Sequence, residues 1–239
     1  MILGERIQLN IDSDQCRPLC EAAPLLENIP ENQSIATLIL AHGAGAPMDS
    51  PFMNALVERL VCRGIAVLRF EFAYMQVRRR TGVRRPPDAQ PILLDCWRQV
   101  FEHVRQSHGG TLAVGGKSMG GRMASLVADE LGADGLVCLG YPFYAAARPE
   151  KPRIAHLAAL RVPTLIVQGE RDPMGNRQAV EGYPLSGAIK LHWLGAADHD
   201  LKPLKRSGCS HDEYLDHAAD AVAGFLCAIK SADSLCRAD

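Results

Sequence analysis

Short apolar runs alternate with stretches of helical periodicity along most of the chain, and this alternation constrains the fold more than any other feature of the sequence. Buried strands are predicted at 35–41, 65–70, 111–114, 135–139, 162–167 and 190–194. Helices are predicted at 51–62 and 92–107, after Gly116 to about 131, and from Ser210 onwards. Such alternation is typical of a mostly parallel central sheet with helices on both faces, so we predict an α/β fold.

Residues 1–239 are expected to form a single domain, because no repeat, low-complexity segment or linker divides them. Residues 73–91 are predicted to be a long loop with five arginines and three prolines. Residues after Lys230 are small and polar and are expected to fray. The segment 141–161 lies between the predicted strands 135–139 and 162–167. It is too short for a helical cap, so we expect a minimal cap or none.

The composition argues against nucleic-acid and membrane partners. Lys plus Arg (26) nearly balances Asp plus Glu (27), so no global field favours nucleic acid or an acidic membrane. No uncharged apolar run approaches the roughly 18–20 residues that span a bilayer. The first residues lack the apolar stretch of a signal peptide, so we expect a cytoplasmic protein, whose oligomeric state the sequence leaves open.

Eight cysteines are scattered along the chain. Several of them, such as Cys62, Cys138 and Cys227, lie in apolar stretches, where a free cysteine behaves as a small hydrophobic residue. Without a secretory signal they are expected to be reduced thiols. Cys16 and Cys20 have no second pair at zinc-ligand spacing, and structural zinc normally needs four ligands, so no metal site is expected.

The segment 111–125 combines a predicted strand, a glycine-rich turn and a predicted helix around Ser118. The motif Gly116-x-Ser118-x-Gly120 fits a nucleophile elbow, because the two glycines remove Cβ atoms that would collide at a sharp turn. The start of the following helix would place the Met119 N–H to bind an oxyanion. The motif alone is common by chance and could mark a plain turn, but its strand–turn–helix context favours a nucleophilic serine.

A second oxyanion donor is predicted in the loop His42-Gly43-Ala44-Gly45, which directly follows the first predicted strand. We assign the donor to the N–H of Ala44, with Gly43 as the second choice and as a substrate-binding residue. The alternative interpretation is that these glycines only permit a turn.

A nucleophilic serine needs a base, and the base needs an acid that orients it. Asp172 and His199 each lie shortly after a predicted strand. With Ser118 they give the order serine, acid, histidine along the chain, which is the order of the triad in proteins with this type of nucleophile elbow. Glu170 is the competing acid, and Asp172 could instead be a turn residue. His192 lies inside a predicted strand, where a structural histidine is expected.

Two pairs of residues are candidates for substrate binding. Arg84 and Arg85 could capture an anionic substrate, since guanidinium groups suit carboxylates and phosphates, although such charge runs usually face water. Phe143 and Tyr144 follow the strand at 135–139 and are expected to wall one side of a pocket without roofing it.

Together these segments resemble the α/β-hydrolase superfamily, and more closely a family of small predicted hydrolases related to dienelactone hydrolase. That family also includes a subunit of the non-specific-lethal histone acetyltransferase complex. The matching stretches are LAHGAGAPMDSPFM (40–53), RRPPD (84–88), GGKSMGGRMAS (115–125), VPTLIVQGERDPMG (162–175) and DHDLKP (198–203). The resemblance implies the α/β-hydrolase fold, a triad of Ser118, Asp172 and His199, and no cofactor. The chain differs from dienelactone hydrolases proper, whose nucleophile is a cysteine.

The activity expected from these residues is hydrolysis of a small-molecule carboxylic ester or thioester, with a preference for short acyl groups. The same residues could serve an acyltransferase or a peptidase. Some relatives serve as scaffolds, so a non-catalytic interaction module on a hydrolase fold is the alternative.

Overall fold

Eight strands form one sheet in the computed structural model, which describes residues 6–7, 25–146 and 148–236. The strands are β1 (Arg6–Ile7), β2 (Leu25–Asn28), β3 (Ala36–Ala41), β4 (Ile65–Phe70), β5 (Leu112–Lys117), β6 (Gly135–Leu139), β7 (Thr164–Gly169) and β8 (Ile189–Leu194). Their order across the sheet is β1-β2-β4-β3-β5-β6-β7-β8. The strands from β3 to β8 pair in parallel, whereas β2 pairs antiparallel with both β1 and β4.

Helices cover both faces of this sheet. The described α-helices are α1 (Pro51–Cys62), α2 (Ala73–Thr81), α3 (Gln90–Ser107), α4 (Met119–Leu131), α5 (Arg177–Val180) and α6 (His211–Cys236). α1 and α6 share one hydrophobic core with the sheet, and α3 and α4 share the other. Two 3-10 helices span Ala155–Ala159 and Lys205–Ser207.

The central strands contribute alternate residues to the two cores. On β3, Leu38 and Leu40 belong to the core beneath α1 and α6, while Ile39 and Ala41 belong to the core beneath α3 and α4. Successive side chains of a strand point to opposite faces, so a strand covered on both faces is apolar throughout. Continuous apolar runs therefore predict these strands, and the predicted α/β fold is confirmed.

The prediction of a loop at 73–91 is wrong in its first half, which forms α2. Tyr74 and Met75 are buried on this helix. Arg79 donates both to Asp49 and to the buried Glu71, so this arginine is paired rather than merely solvated. A run of arginines is thus compatible with a helix, since Arg79 is paired with carboxylates and Arg78 donates to the Gly45 carbonyl.

The two ends of the described chain also differ from expectation. α6 begins as predicted, because the N–H of Glu213 donates to Ser210 Oγ at 3.1 Å and the N–H of Ser210 donates to Glu213 Oε2 at 2.6 Å. It then continues past Lys230 to Cys236, and residues 237–239 lie outside the described residues. The strands β1 and β2 are not predicted, because β2 carries only one buried residue, Leu25, and offers no clear apolar pattern.

The chain between β6 and β7 carries no helical cap in its described residues, 140–146 and 148–163. It contains only the 3-10 helix Ala155–Ala159 and an isolated bridge between Ala145 and Arg148. The carboxyl end of the parallel sheet is therefore open on this side, as the short segment predicts.

Candidate active site

Ser118 occupies a sharp turn between β5 and α4. Its backbone lies at φ 51° and ψ −115°, which is unfavourable for a residue with a Cβ atom. A Cβ on Gly116 would lie 2.6 Å from the backbone of Gly120. One on Gly120 would lie 2.6 Å from the carbonyl oxygen of Ala41. The chain can cross itself this closely only with glycines at both positions, as the motif predicts.

His199 connects Ser118 to Asp172. Its Nε2 lies 2.9 Å from Ser118 Oγ, and its Nδ1 lies 2.7 Å from Asp172 Oδ2. The Asp172 carboxylate is fully buried and also accepts from Gln168 Nε2 at 2.9 Å and from the Met174 N–H at 2.8 Å. A carboxylate that accepts the Nδ1 proton leaves Nε2 free to accept, so the Ser118 hydroxyl donates to His199.

Glu170, the competing acid, and His192 have surroundings that differ from those of Asp172 and His199. Glu170 accepts from Arg177 Nη1 at 2.8 Å and from the N–H of Ala196 at 3.1 Å. His192 lies on β8, and its side chain lines a separate surface cleft. Among the described residues, neither takes part in the hydrogen-bonded chain that ends at Ser118.

The glycine-rich loop after β3 is held by two buried side chains, His42 and Tyr74. The N–H of Phe72 donates to His42 Nε2 at 3.2 Å, so His42 Nδ1–H is the donor to the Gly43 carbonyl at 2.7 Å. Burial lowers the pKa of His42. An imidazole that accepts at Nε2 and donates at Nδ1 is neutral. The Tyr74 hydroxyl donates to the Ala44 carbonyl at 3.1 Å. Sequence reasoning missed both roles, although His42 stands directly before the glycines.

A cavity of about 570 Å³ opens over Ser118 and His199. Gly43, Ala44 and Met119, whose amides are the predicted oxyanion donors, all border it. The cavity also has apolar lining from Phe52, Met53, Pro142 and Met174. The structure thus brings the serine, the histidine and the predicted amide donors to one site.

Phe143 and Tyr144 do not wall this cavity, and that prediction is wrong. The Phe143 side chain is fully buried in the core, with its ring centroid 4.8 Å from that of Tyr141. The Tyr144 hydroxyl accepts from Asn176 Nδ2 at 3.2 Å. Aromatic rings of this size gain more from the core than from an open cavity, and Pro142 takes the lining position instead.

Arg84 and Arg85 lie on an exposed segment and do not line the cavity. The residue of this segment that borders the cavity is Pro87. The structure therefore does not place the two arginines at the site that contains Ser118.

Lys117 is a further residue of the site that sequence reasoning missed. It directly precedes Ser118, and its ammonium group donates to the His199 carbonyl at 2.7 Å and lies 3.2 Å from Asp200 Oδ1. Burial lowers the pKa of Lys117, and the carboxylate of Asp200 opposes this effect. The available signal was a lysine at the end of an otherwise apolar strand. The hydrogen bond from Lys117 connects the loop that contains His199 to the turn that contains Ser118.

We expect Lys117→Met to lower kcat on the order of tenfold, because a charge-assisted hydrogen bond to the loop of His199 is lost. The melting temperature should be compared with that of wild type to exclude unfolding. Asp200→Asn, which leaves the bond to the His199 carbonyl in place, should have a smaller effect. A folded Lys117→Met variant with unchanged kcat would contradict this positioning role.

The strand order, the parallel connections and the serine turn define a hydrolase fold of the α/β class. A family model described as an alpha/beta hydrolase domain matches residues 34–227. Because this match spans most of the chain, the protein belongs to the alpha/beta hydrolase family.

Solved structures of similar fold include three bacterial proteins. A serine hydrolase without lid from Xanthomonas campestris shares 22% identity over 91% of this chain and 94% of that chain, with a TM-score of 0.64. Dienelactone hydrolase from Anabaena variabilis shares 19% identity over 93% and 96% of the two chains, with a TM-score of 0.64. Est1E from Butyrivibrio proteoclasticus shares 15% identity over 95% and 99%, with a TM-score of 0.65. At these identities the likenesses show the fold alone.

No helix in residues 6–7, 25–146 and 148–236 is long and apolar enough to cross a membrane. Within the same residues, no three His, Cys, Asp or Glu side chains are grouped so that they could hold a metal ion. Cys16 and Cys20 lie outside the described residues.

Proposed function

We propose that this protein is a serine hydrolase that cleaves a small-molecule carboxylic ester or thioester. The observation that carries the proposal is the hydrogen-bonded chain from buried Asp172 through His199 to Ser118 at the floor of an open cavity. A serine hydroxyl at its own pKa is a weak nucleophile, and this arrangement supplies the base that activates it.

In the proposed reaction, Ser118 Oγ attacks the acyl carbon while its proton passes to His199 Nε2. The N–H groups of Met119 and Ala44, with Gly43 as the second choice, stabilise the oxyanion. His199 returns the proton to the leaving alcohol or thiol as the C–O or C–S bond breaks, which leaves an acyl-enzyme. Water then loses a proton to His199 and attacks the acyl carbon. The bond between Ser118 Oγ and the acyl carbon breaks, the carboxylic acid is released, and His199 returns the proton to Ser118. Asp172 holds the imidazole and stabilises its charged form.

A panel of p-nitrophenyl esters and acyl-CoA thioesters, assayed with wild type and Ser118→Ala, tests the proposal. Turnover that disappears in Ser118→Ala supports hydrolysis by the serine. No turnover of any ester or thioester by folded wild type would favour the non-catalytic interaction module.

We expect kcat/KM to be highest for short p-nitrophenyl esters and to fall for longer ones. The chain between β6 and β7 leaves the cavity without a helical roof in its described residues, so a long acyl chain would extend into water. Such a chain forgoes the ~0.8 kcal/mol per methylene that burial supplies. Rates measured from acetate to dodecanoate decide this, and a steady rise to dodecanoate would contradict an open site.

A further inference from the structure

Arg122 lies on α4 one helical turn after Ser118 and lines the same cavity. Its guanidinium is partly buried, and its Nε has neither solvent contact nor a hydrogen-bond partner among the described residues. A buried donor without a partner is costly, so it calls for an explanation.

Arg59 and Arg69 also have a buried Nε without a hydrogen-bond partner, but other nitrogens of these two arginines donate to acceptors. The other partly or fully buried arginines of the described chain each donate to a carboxylate, a side-chain amide or a carbonyl oxygen. They are Arg59, Arg63, Arg69, Arg78, Arg98 and Arg105. Arg122 alone in this set has no acid or other acceptor among residues 6–7, 25–146 and 148–236.

A second arginine increases the positive charge at this place. Arg153 also lines the cavity. Burial lowers the pKa of Arg122, Tyr141 opposes this effect, and the positive charge of Arg153 adds a smaller lowering. His156 does not add a charge, because burial and Arg122 lower its pKa to about 4. Lys117 is paired with Asp200 at 3.2 Å. Of the described cationic residues of the lining, the partly buried Arg122 and the exposed Arg153 therefore remain without an ion pair.

We propose that Arg122 and Arg153 bind an anionic oxygen group, a carboxylate or a phosphate, which the substrate carries in addition to the ester or thioester bond that Ser118 attacks. The proposal rests on the hydrolase function proposed above. Guanidinium groups match the planar oxygens of such anions and form charge-assisted hydrogen bonds with them. Arg122, Arg153 and Ser118 border one cavity, so the anionic group and the reacting carbonyl occupy the same cavity. The substrate class is therefore an anionic ester or thioester of small size.

Matched aryl esters test this, since the position and the kind of the anion can each be varied. On the acyl side, p-nitrophenyl hydrogen glutarate is compared with neutral p-nitrophenyl valerate. On the alcohol side, 4-acetoxybenzoate and 4-acetoxyphenyl phosphate are compared with the neutral methyl ester of 4-acetoxybenzoate. We expect wild type to prefer an anionic member, and the preferred one identifies carboxylate or phosphate.

The variants Arg122→Gln and Arg153→Gln should each lower kcat/KM for the preferred anionic ester by about tenfold, because each removes one charge-assisted hydrogen bond. The neutral esters should change by less than about twofold. Arg206→Gln, which removes an exposed charge outside the cavity, is the matched control and should leave both rates unchanged.

Three outcomes would overturn the proposal. Equal kcat/KM for anionic and neutral esters, with turnover that still requires Ser118, would refute the anion site and leave the hydrolase function standing. If Arg84→Gln lowers kcat/KM for the preferred anionic ester as much as Arg122→Gln does, the anion binds at the exposed segment that contains Arg84 and Arg85 and not at Arg122. No turnover of any ester by the folded protein would overturn the hydrolase function and this inference together.

Discussion

Ser118→Ala should lower kcat for p-nitrophenyl esters to near the uncatalysed rate, and His199→Ala should do the same. Removing one member of a cooperating triad typically costs several orders of magnitude, and the losses are not additive because the residues act as one unit. We therefore expect the double variant to be barely slower than either single variant. Steady-state kinetics on the three proteins measure this directly.

The matched control for this experiment is thermal unfolding. The Ser118 N–H donates to the Leu139 carbonyl at 2.9 Å, a bond that alanine preserves, so Ser118→Ala should melt close to wild type. Near-normal turnover in a folded His199→Ala protein would show that another group acts as the base, and His192→Ala would be the next variant to assay.

Asp172→Asn should lower kcat on the order of 10⁴-fold while the protein stays folded. Asp172 Oδ2 accepts from both His199 Nδ1 and Gln168 Nε2, and an amide nitrogen at that position would face donors instead of accepting from them. The amide then favours the His199 tautomer that carries its proton on Nε2, which cannot take the proton of Ser118.

Glu170→Gln is the control for this prediction, because it also converts a carboxylate to an amide in the same loop. Glu170 binds Arg177 and the Ala196 N–H rather than His199, so its replacement should change kcat little. A larger loss in Glu170→Gln than in Asp172→Asn would overturn the assignment of the acid.

The parts of the site that follow from sequence depend on local geometry. The glycines at 116 and 120 determine the turn at Ser118 because no Cβ fits there, and a motif of five residues contains that information. Asp172 and His199 each follow a strand of a parallel sheet, and the carboxyl ends of such strands meet at one edge. Their approach to Ser118 could therefore be predicted without knowing any distance.

The parts that sequence could not supply depend on side-chain direction and on distant partners. Phe143 turns into the core while its neighbour Pro142 borders the cavity, and nothing in the order of residues determines which of them does so. Lys117 reaches the carbonyl of His199, which is 82 residues away in the chain. Arg122 and Arg153 likewise come from separate elements, so their shared position in the cavity required the structure.

The central claim is that Ser118 is an activated nucleophile, and a fluorophosphonate probe tests it most directly. Such a probe reacts with a serine whose proton is taken by a positioned base. We expect stoichiometric labelling of wild type, mapped by mass spectrometry to Ser118, with no labelling of Ser118→Ala and greatly slowed labelling of His199→Ala. Folded wild-type protein that stays unlabelled, or that is labelled at another residue, would contradict the claim.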